Sequence, residues 1–64
     1  MKDSKLTSVK IMKNLYNSFK LDTVNTKMTL QKLTNRSIYL YLEDKDYKDR
    51  LDNINDLLVS GSNL

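Results

Sequence analysis

The hydrophobic period of this chain changes along its length. Leu6 to Met12 alternates, with Thr7, Val9 and Ile11 on one side and Leu6, Ser8 and Lys10 on the other. Successive side chains of a strand point to opposite faces, and Thr7, Val9 and Ile11 are β-branched. This stretch is read as the only convincing strand. From Lys13 to about Asn25 the spacing becomes helical. Leu15, Phe19 and Val24 fall near one stripe, with Tyr16 beside it. Met12 or Asn14 stands at the start of this first helix.

Asn25, Thr26 and Lys27 form a turn without glycine. Met28 then offers an apolar staple, and Thr29 is a good N-cap for a second helix. That helix carries Leu33, Ser37, Ile38, Tyr41 and Leu42 on one stripe. Around Glu43 to Asp46 the character turns acidic. Tyr47, Leu51, Ile54 and Leu58, widened by Leu57, make a third helical stretch, with Asp44 and Asp46 suited to the dipole at its start. Gly61 reads as its stop. No Pro or Gly separates the second and third stretches, so one bent helix and two helices both fit.

A lone strand leaves a row of backbone N–H and C=O groups unpaired. The same strand of a second copy is the simplest partner, because antiparallel pairing about a two-fold axis is self-complementary. Such pairing turns Thr7, Val9 and Ile11 onto the helices and leaves Leu6, Ser8 and Lys10 outward. Length points the same way. A 64-residue chain has a marginal core, and with no Cys and no His neither disulfides nor a zinc site can reinforce it.

The same two absences remove a Cys nucleophile, a Ser–His pair and a His general base, so an enzyme is not expected. No cofactor is expected either. Asp44-Lys45-Asp46 lacks the Gly and distal Glu of a calcium loop. No stretch approaches the roughly eighteen apolar residues of a membrane span, and no apolar run follows Lys2 and Lys5 to make a signal peptide. The chain reads as soluble and cytoplasmic.

The net charge of +3 is unevenly spread. Residues 1–42 hold eight basic side chains against Asp3 and Asp22, whereas residues 43–64 hold six acidic ones against three basic. A basic front and an acidic back suit a polyanionic partner on the front. A second anion site is expected at the start of the second helix. There Thr29, Leu30 and Gln31 offer backbone N–H groups, with Lys27 and Lys32 near them.

Together, LTSVKIMKNLYNSF and KMTLQKLTNRSIYLYL resemble the ribbon-helix-helix family of bacterial, phage and plasmid DNA-binding proteins. The resemblance covers about residues 6–42 and rests on an alternating strand, an apolar first helix, a short turn, a hydroxyl N-cap and an amphipathic second helix. It is compatible with plasmid-encoded regulators of transfer or copy number. It implies a mainly α fold: an intertwined homodimer with an intermolecular two-stranded antiparallel β-ribbon, here with an additional C-terminal helix. The domains would be a flexible arm at 1–5, the DNA-binding unit at 6–42 and a helical extension with a short tail at 43–64. Lys27 departs from the family, which often has Gly at that turn, where a left-handed residue is costly without one.

By this resemblance the ribbon enters the major groove of double-stranded DNA, with Leu6, Ser8 and Lys10 facing the bases. Lys10 can donate to guanine O6 or N7, Ser8 can bond several base edges, and Leu6 can touch a thymine methyl. Leu6 is a departure, since relatives place a polar residue there. Lys5, Lys13, Lys27, Thr29, Leu30, Gln31 and Lys32 are the expected phosphate contacts. Thr7, Val9, Ile11, Leu15, Phe19, Leu33, Ile38 and Tyr41 are the expected dimer core. The third helix packs within the dimer or joins dimers on repeated sites. Three roles fit: a transcriptional repressor, a plasmid partition adaptor that binds centromere repeats, and the antitoxin of a toxin–antitoxin pair.

Overall fold

The structure, a computed structural model, describes residues 3–64; Met1 and Lys2, the start of the expected arm, lie outside the described residues. Among the described residues the chain is all-helical. Three helices follow one another: α1 (Lys13–Asp22), α2 (Leu30–Glu43) and α3 (Lys45–Asp52). Residues 4–12 form neither helix nor strand. This corrects the expected ribbon-helix-helix fold, because the described residues contain no strand and hence no β-ribbon. The physical reason is that alternation and β-branching only prepare a segment for a sheet. A strand also needs a hydrogen-bonded neighbour, and the described residues hold no second one.

The two expected helices of the central region form close to where the pattern puts them. Met12 is the N-cap of α1 but makes no side-chain cap bond, and the first turn holds no acid. Lys20 in the last turn suits the negative end of the helix. Thr23 ends α1: its hydroxyl and its N–H both donate to Phe19 O, at 2.8 and 3.0 Å. The turn is then built from hydroxyls. Thr26 Oγ1 donates to Thr23 O (3.2 Å) and accepts from Met28 N (3.2 Å). No non-glycine described residue has a positive φ, so Lys27 turns the chain without the left-handed conformation that Gly would allow. Thr29 caps α2 as expected, accepting from Lys32 N at 3.1 Å.

The second and third stretches are two helices joined through one residue. Asp44 is at once the C-cap of α2 and the N-cap of α3, at φ −117° and ψ 106°. Its N–H donates to Leu40 O (2.8 Å), and its carboxylate accepts from Tyr47 N (3.2 Å). The third helix is shorter than its stripe. It stops at Asp52, and Ile54, Leu57 and Leu58 lie beyond it. Local side chains compete with the backbone ladder there. Asn53 Nδ2 donates to Asp49 O (2.8 Å), and Asp56 Oδ1 accepts from Leu58 N (2.9 Å). Gly61 is not the stop of a helix; with φ 77° it makes a turn in the tail, where a side chain would be strained.

Among the three helices, α2 and α3 are the pair that pack together. The tail returns toward α1, where Asn14 Nδ2 donates to Leu58 O at 3.1 Å. None of the described residues is fully buried. Of the expected core, Phe19 and Tyr41 are half-buried, while Ile38 and Val9 remain 55% and 75% exposed. The radius of gyration is 13.1 Å, against roughly 11 Å for a compact chain of this length.

Candidate nucleic-acid interface

The groove between the N-terminal segment and the first half of α2 joins the two regions expected to meet DNA. Its volume is about 890 Å3. Asp3 to Thr7, with Val9, line one side, and Leu30, Gln31, Thr34, Asn35 and Ile38 line the other. Lys5, Leu6, Leu30 and Gln31 therefore line one groove. Ser8 and Lys10 are not among the lining residues, whereas Thr7 and Val9 are. The lining takes Asp3 to Thr7 in succession, so the alternation of a strand is not kept, and Leu6 is 99% exposed.

The helix end is set up by its cap. Thr29 occupies the Lys32 N–H, and Leu33 N donates to Thr29 O at 2.9 Å. The Leu30 and Gln31 N–H groups have no bonding partner among the described residues, so the first turn keeps two donors at the positive end of the helix. Lys32 bends back over this turn, its Nζ donating to Lys27 O at 3.0 Å. The ammonium group is thereby held beside the start of α2. Lys13 opens α1, away from the groove lining, and Lys27 sits in the turn before the cap.

Sequence reasoning did not single out Asp3, Thr34 or Asn35, which also line the groove. Thr34 and Asn35 were legible in principle, being one turn beyond Leu30 and Gln31 on the same helix face. Asn35 Nδ2 donates to Gln31 O at 2.7 Å, which leaves its carbonyl oxygen for other partners. Asp3 places a negative charge in the groove, so an incoming phosphate is favoured at the rim near Lys5 and Lys32 more than inside.

On α3 the acids Asp46, Asp49 and Asp52 balance Lys45, Lys48 and Arg50, and the excess acids of the C-terminal third, Glu43, Asp44 and Asp56, flank the helix. Asp52 accepts from Tyr41 Oη (2.7 Å) and from Lys48 Nζ (2.8 Å), and Lys48 lies 5.1 Å from the centre of the Tyr41 ring. The Lys48 hydrogen bond, then that of Tyr41, holds the Asp52 carboxyl below its ordinary range; the Asp52 hydrogen bond and charge raise the Lys48 ammonium. Tyr47 Oη donates to Ser37 Oγ at 3.2 Å. These bonds seat α3 on the second half of α2, away from the groove lining.

None of the described helices is long and apolar enough to cross a membrane. No family model, no curated protein and no solved structure matches this chain.

Proposed function

We propose that this chain is a sequence-specific double-stranded DNA-binding protein that works as a pair of copies and regulates transcription, most simply as a repressor. The observation that carries the reading is the shared groove. It puts Lys5 and Leu6 of the N-terminal segment beside the free first turn of α2, with Ser8 and Lys10 on the same segment but outside the groove lining. Ser8 and Lys10 are the proposed base contacts, with Leu6 as an apolar neighbour. The Leu30 and Gln31 N–H groups, with Lys5, Lys13, Lys27 and Lys32, are the proposed phosphate contacts. The net negative charge of residues 43–64 disfavours phosphate on that part of the chain. From the ribbon-helix-helix resemblance this reading keeps only the order of segment, helix, turn and helix, without a ribbon.

Surface area supports a second copy. The chain exposes 6189 Å2, whereas a folded monomer of 7.5 kDa exposes roughly 4,200 Å2. Much of the excess is apolar: Leu6, Val9, Leu21, Val24, Leu42 and Leu58 are each more than two-thirds exposed. An obligate dimer interface removes on the order of 1,000 Å2 or more per chain, which this excess can supply.

Selection of bound duplexes from random sequence, followed by anisotropy titration, tests the reading. Lys10→Ala should weaken binding to the selected site about ten- to a hundredfold, with binding to unrelated duplex changed far less. Equal affinity of variant and wild type for that site would remove the base-reading role. Failure to retain any duplex at low salt would end the DNA reading.

A further inference from the structure

We propose that the side of α2 carrying Gln31 and Asn35 reads adenine in the major groove of double-stranded DNA. This rests on the DNA reading above and deepens it, adding base contacts from a helix to those of the N-terminal segment. The first observation is how the surface of α2 is divided. At about 3.6 residues per turn, Gln31, Thr34, Asn35 and Ile38 share one side. All four line the groove and all four are exposed, Ile38 at 55%. Ser37 and Tyr41, which bond α3, lie on another side. Lys32 and Arg36 follow Gln31 and Asn35 at about 100° round the helix, and α2 holds no acid before Glu43. Lys5 lines the same groove from the N-terminal segment. An uncharged strip of amides, hydroxyl and methyl groups is thus edged by cations. The major groove has the matching order: uncharged base edges between two rails of phosphate, in a width of about 12 Å that admits a helix.

The second observation is the Asn35 amide. Its Nδ2 donates to Gln31 O at 2.7 Å. An amide nitrogen carries two hydrogens, and this bond uses one. The bond also sets the amide's orientation, since a carbonyl oxygen turned toward Gln31 O would be repelled. One N–H and Oδ1 remain, a donor and an acceptor on a side chain already held in place, which lowers the ordering cost of binding. Adenine presents the complement in the major groove, the N6 donor beside the N7 acceptor, whereas guanine presents two acceptors. Gln31 carries the same amide one turn earlier. Four residues rise about 6 Å along a helix, close to the roughly 7 Å of two base-pair steps. The two amides therefore address positions two steps apart, and Thr34 and Ile38 offer methyl groups to thymine. Asp3 agrees with this assignment. Its charge disfavours phosphate inside the groove, but a base edge carries no such charge.

The test selects duplexes from random sequence with the full-length chain and titrates the selected site by anisotropy. The expected motif holds two adenines two steps apart. Asn35→Ala should weaken binding to that site about tenfold, with unrelated duplex affected far less, because no charge is lost. Replacing the matched adenine by 7-deazaadenine, which lacks the N7 acceptor, should weaken the wild type and leave Asn35→Ala as it was. Gln31→Ala should behave in the same way toward the second adenine. Equal affinity of Asn35→Ala and wild type for the selected site overturns the proposal. An equal loss on unrelated duplex does so too, as does a motif without the adenine pair. In each of these cases duplex is still bound, and the DNA reading stands. Failure to retain any duplex at low salt ends that reading and this proposal with it.

Discussion

The two surfaces of α2 are covered in different ways. Its second half meets α3 through Tyr41–Asp52, Tyr47–Ser37 and the Lys48 ammonium over Tyr41. Its first half faces the N-terminal segment across an open groove, with no hydrogen bond between the two among the described residues. The difference follows from distance along the chain and from partners. The residues joining α2 to α3 are only ten or eleven apart, so the bonds close a short loop at little entropic cost. The N-terminal segment is patterned for a strand and finds no strand beside it. The second half of α2 with α3 carries a net negative charge, whereas the N-terminal segment with the first half of α2 carries a net positive one. We read the first as scaffold and the second as the surface kept for a partner.

Salt should separate the two regions most strongly. If the open side binds phosphates, raising salt from about 50 to about 200 mM should weaken DNA binding roughly a thousandfold for six or more contacts per pair of chains. Helicity should hardly change over the same range. A salt-insensitive complex would break the comparison. Next in size, Tyr47→Ala should lower stability by about 2 kcal/mol in a urea melt, because a large half-buried ring is lost from the α2–α3 contact. A loss below about 0.5 kcal/mol would mean that α3 is not held by that ring.

Thr29→Ala should cost about 1 kcal/mol through the lost cap of α2, read in the same melt. It should also weaken DNA binding, since the helix start forms one wall of the groove. Intact binding would take the phosphate anchor away from α2. Asp3→Asn should strengthen binding a few-fold by removing a negative charge from the groove. Weaker binding would show that Asp3 has a positive part in the contact.

The smallest effect concerns pH. Asp52 is held below the ordinary carboxylate range by Lys48 and Tyr41, so its contribution is present above that range and lost as pH falls through the lowered value. Lys48 is raised by Asp52, so its contribution is present below the ordinary lysine range and lost as pH rises through the raised value. Both groups are exposed and screened, so the acid limb should shift only slightly. Asp52→Asn should flatten that limb; an identical limb would remove this pair from the account.

Legibility followed the range of the interactions. Thr29 as a cap and the stripe of α2 could be read directly, because both depend on residues within a turn or two. The third helix is shorter than its apolar stripe. Its stripe continues through Ile54 and Leu58, but the Asn53 and Asp56 side chains bond the backbone and end the helix first. The residue types carry that competition, while the apolar period alone points to a longer helix. Lys5 and Leu6 stand out in the sequence for the alternating segment, Leu30 and Gln31 for the start of a helix, and only the fold brings them to one groove. Asp3 could not have been placed there from its neighbours along the chain.

By itself the sequence determined the helical periods, the caps, the hydroxyl-built turn and the division into a basic front and an acidic back. All of these arise between residues close in the chain. Tertiary structure decided whether Leu6 to Met12 becomes a strand, how far α3 extends, where Asp44 breaks a stretch without Gly or Pro, and which side chains share the groove. These depend on groups far apart in sequence. A strand without a neighbour forgoes its hydrogen bonds, and a helix continues only while its own backbone bonds outcompete those offered by side chains.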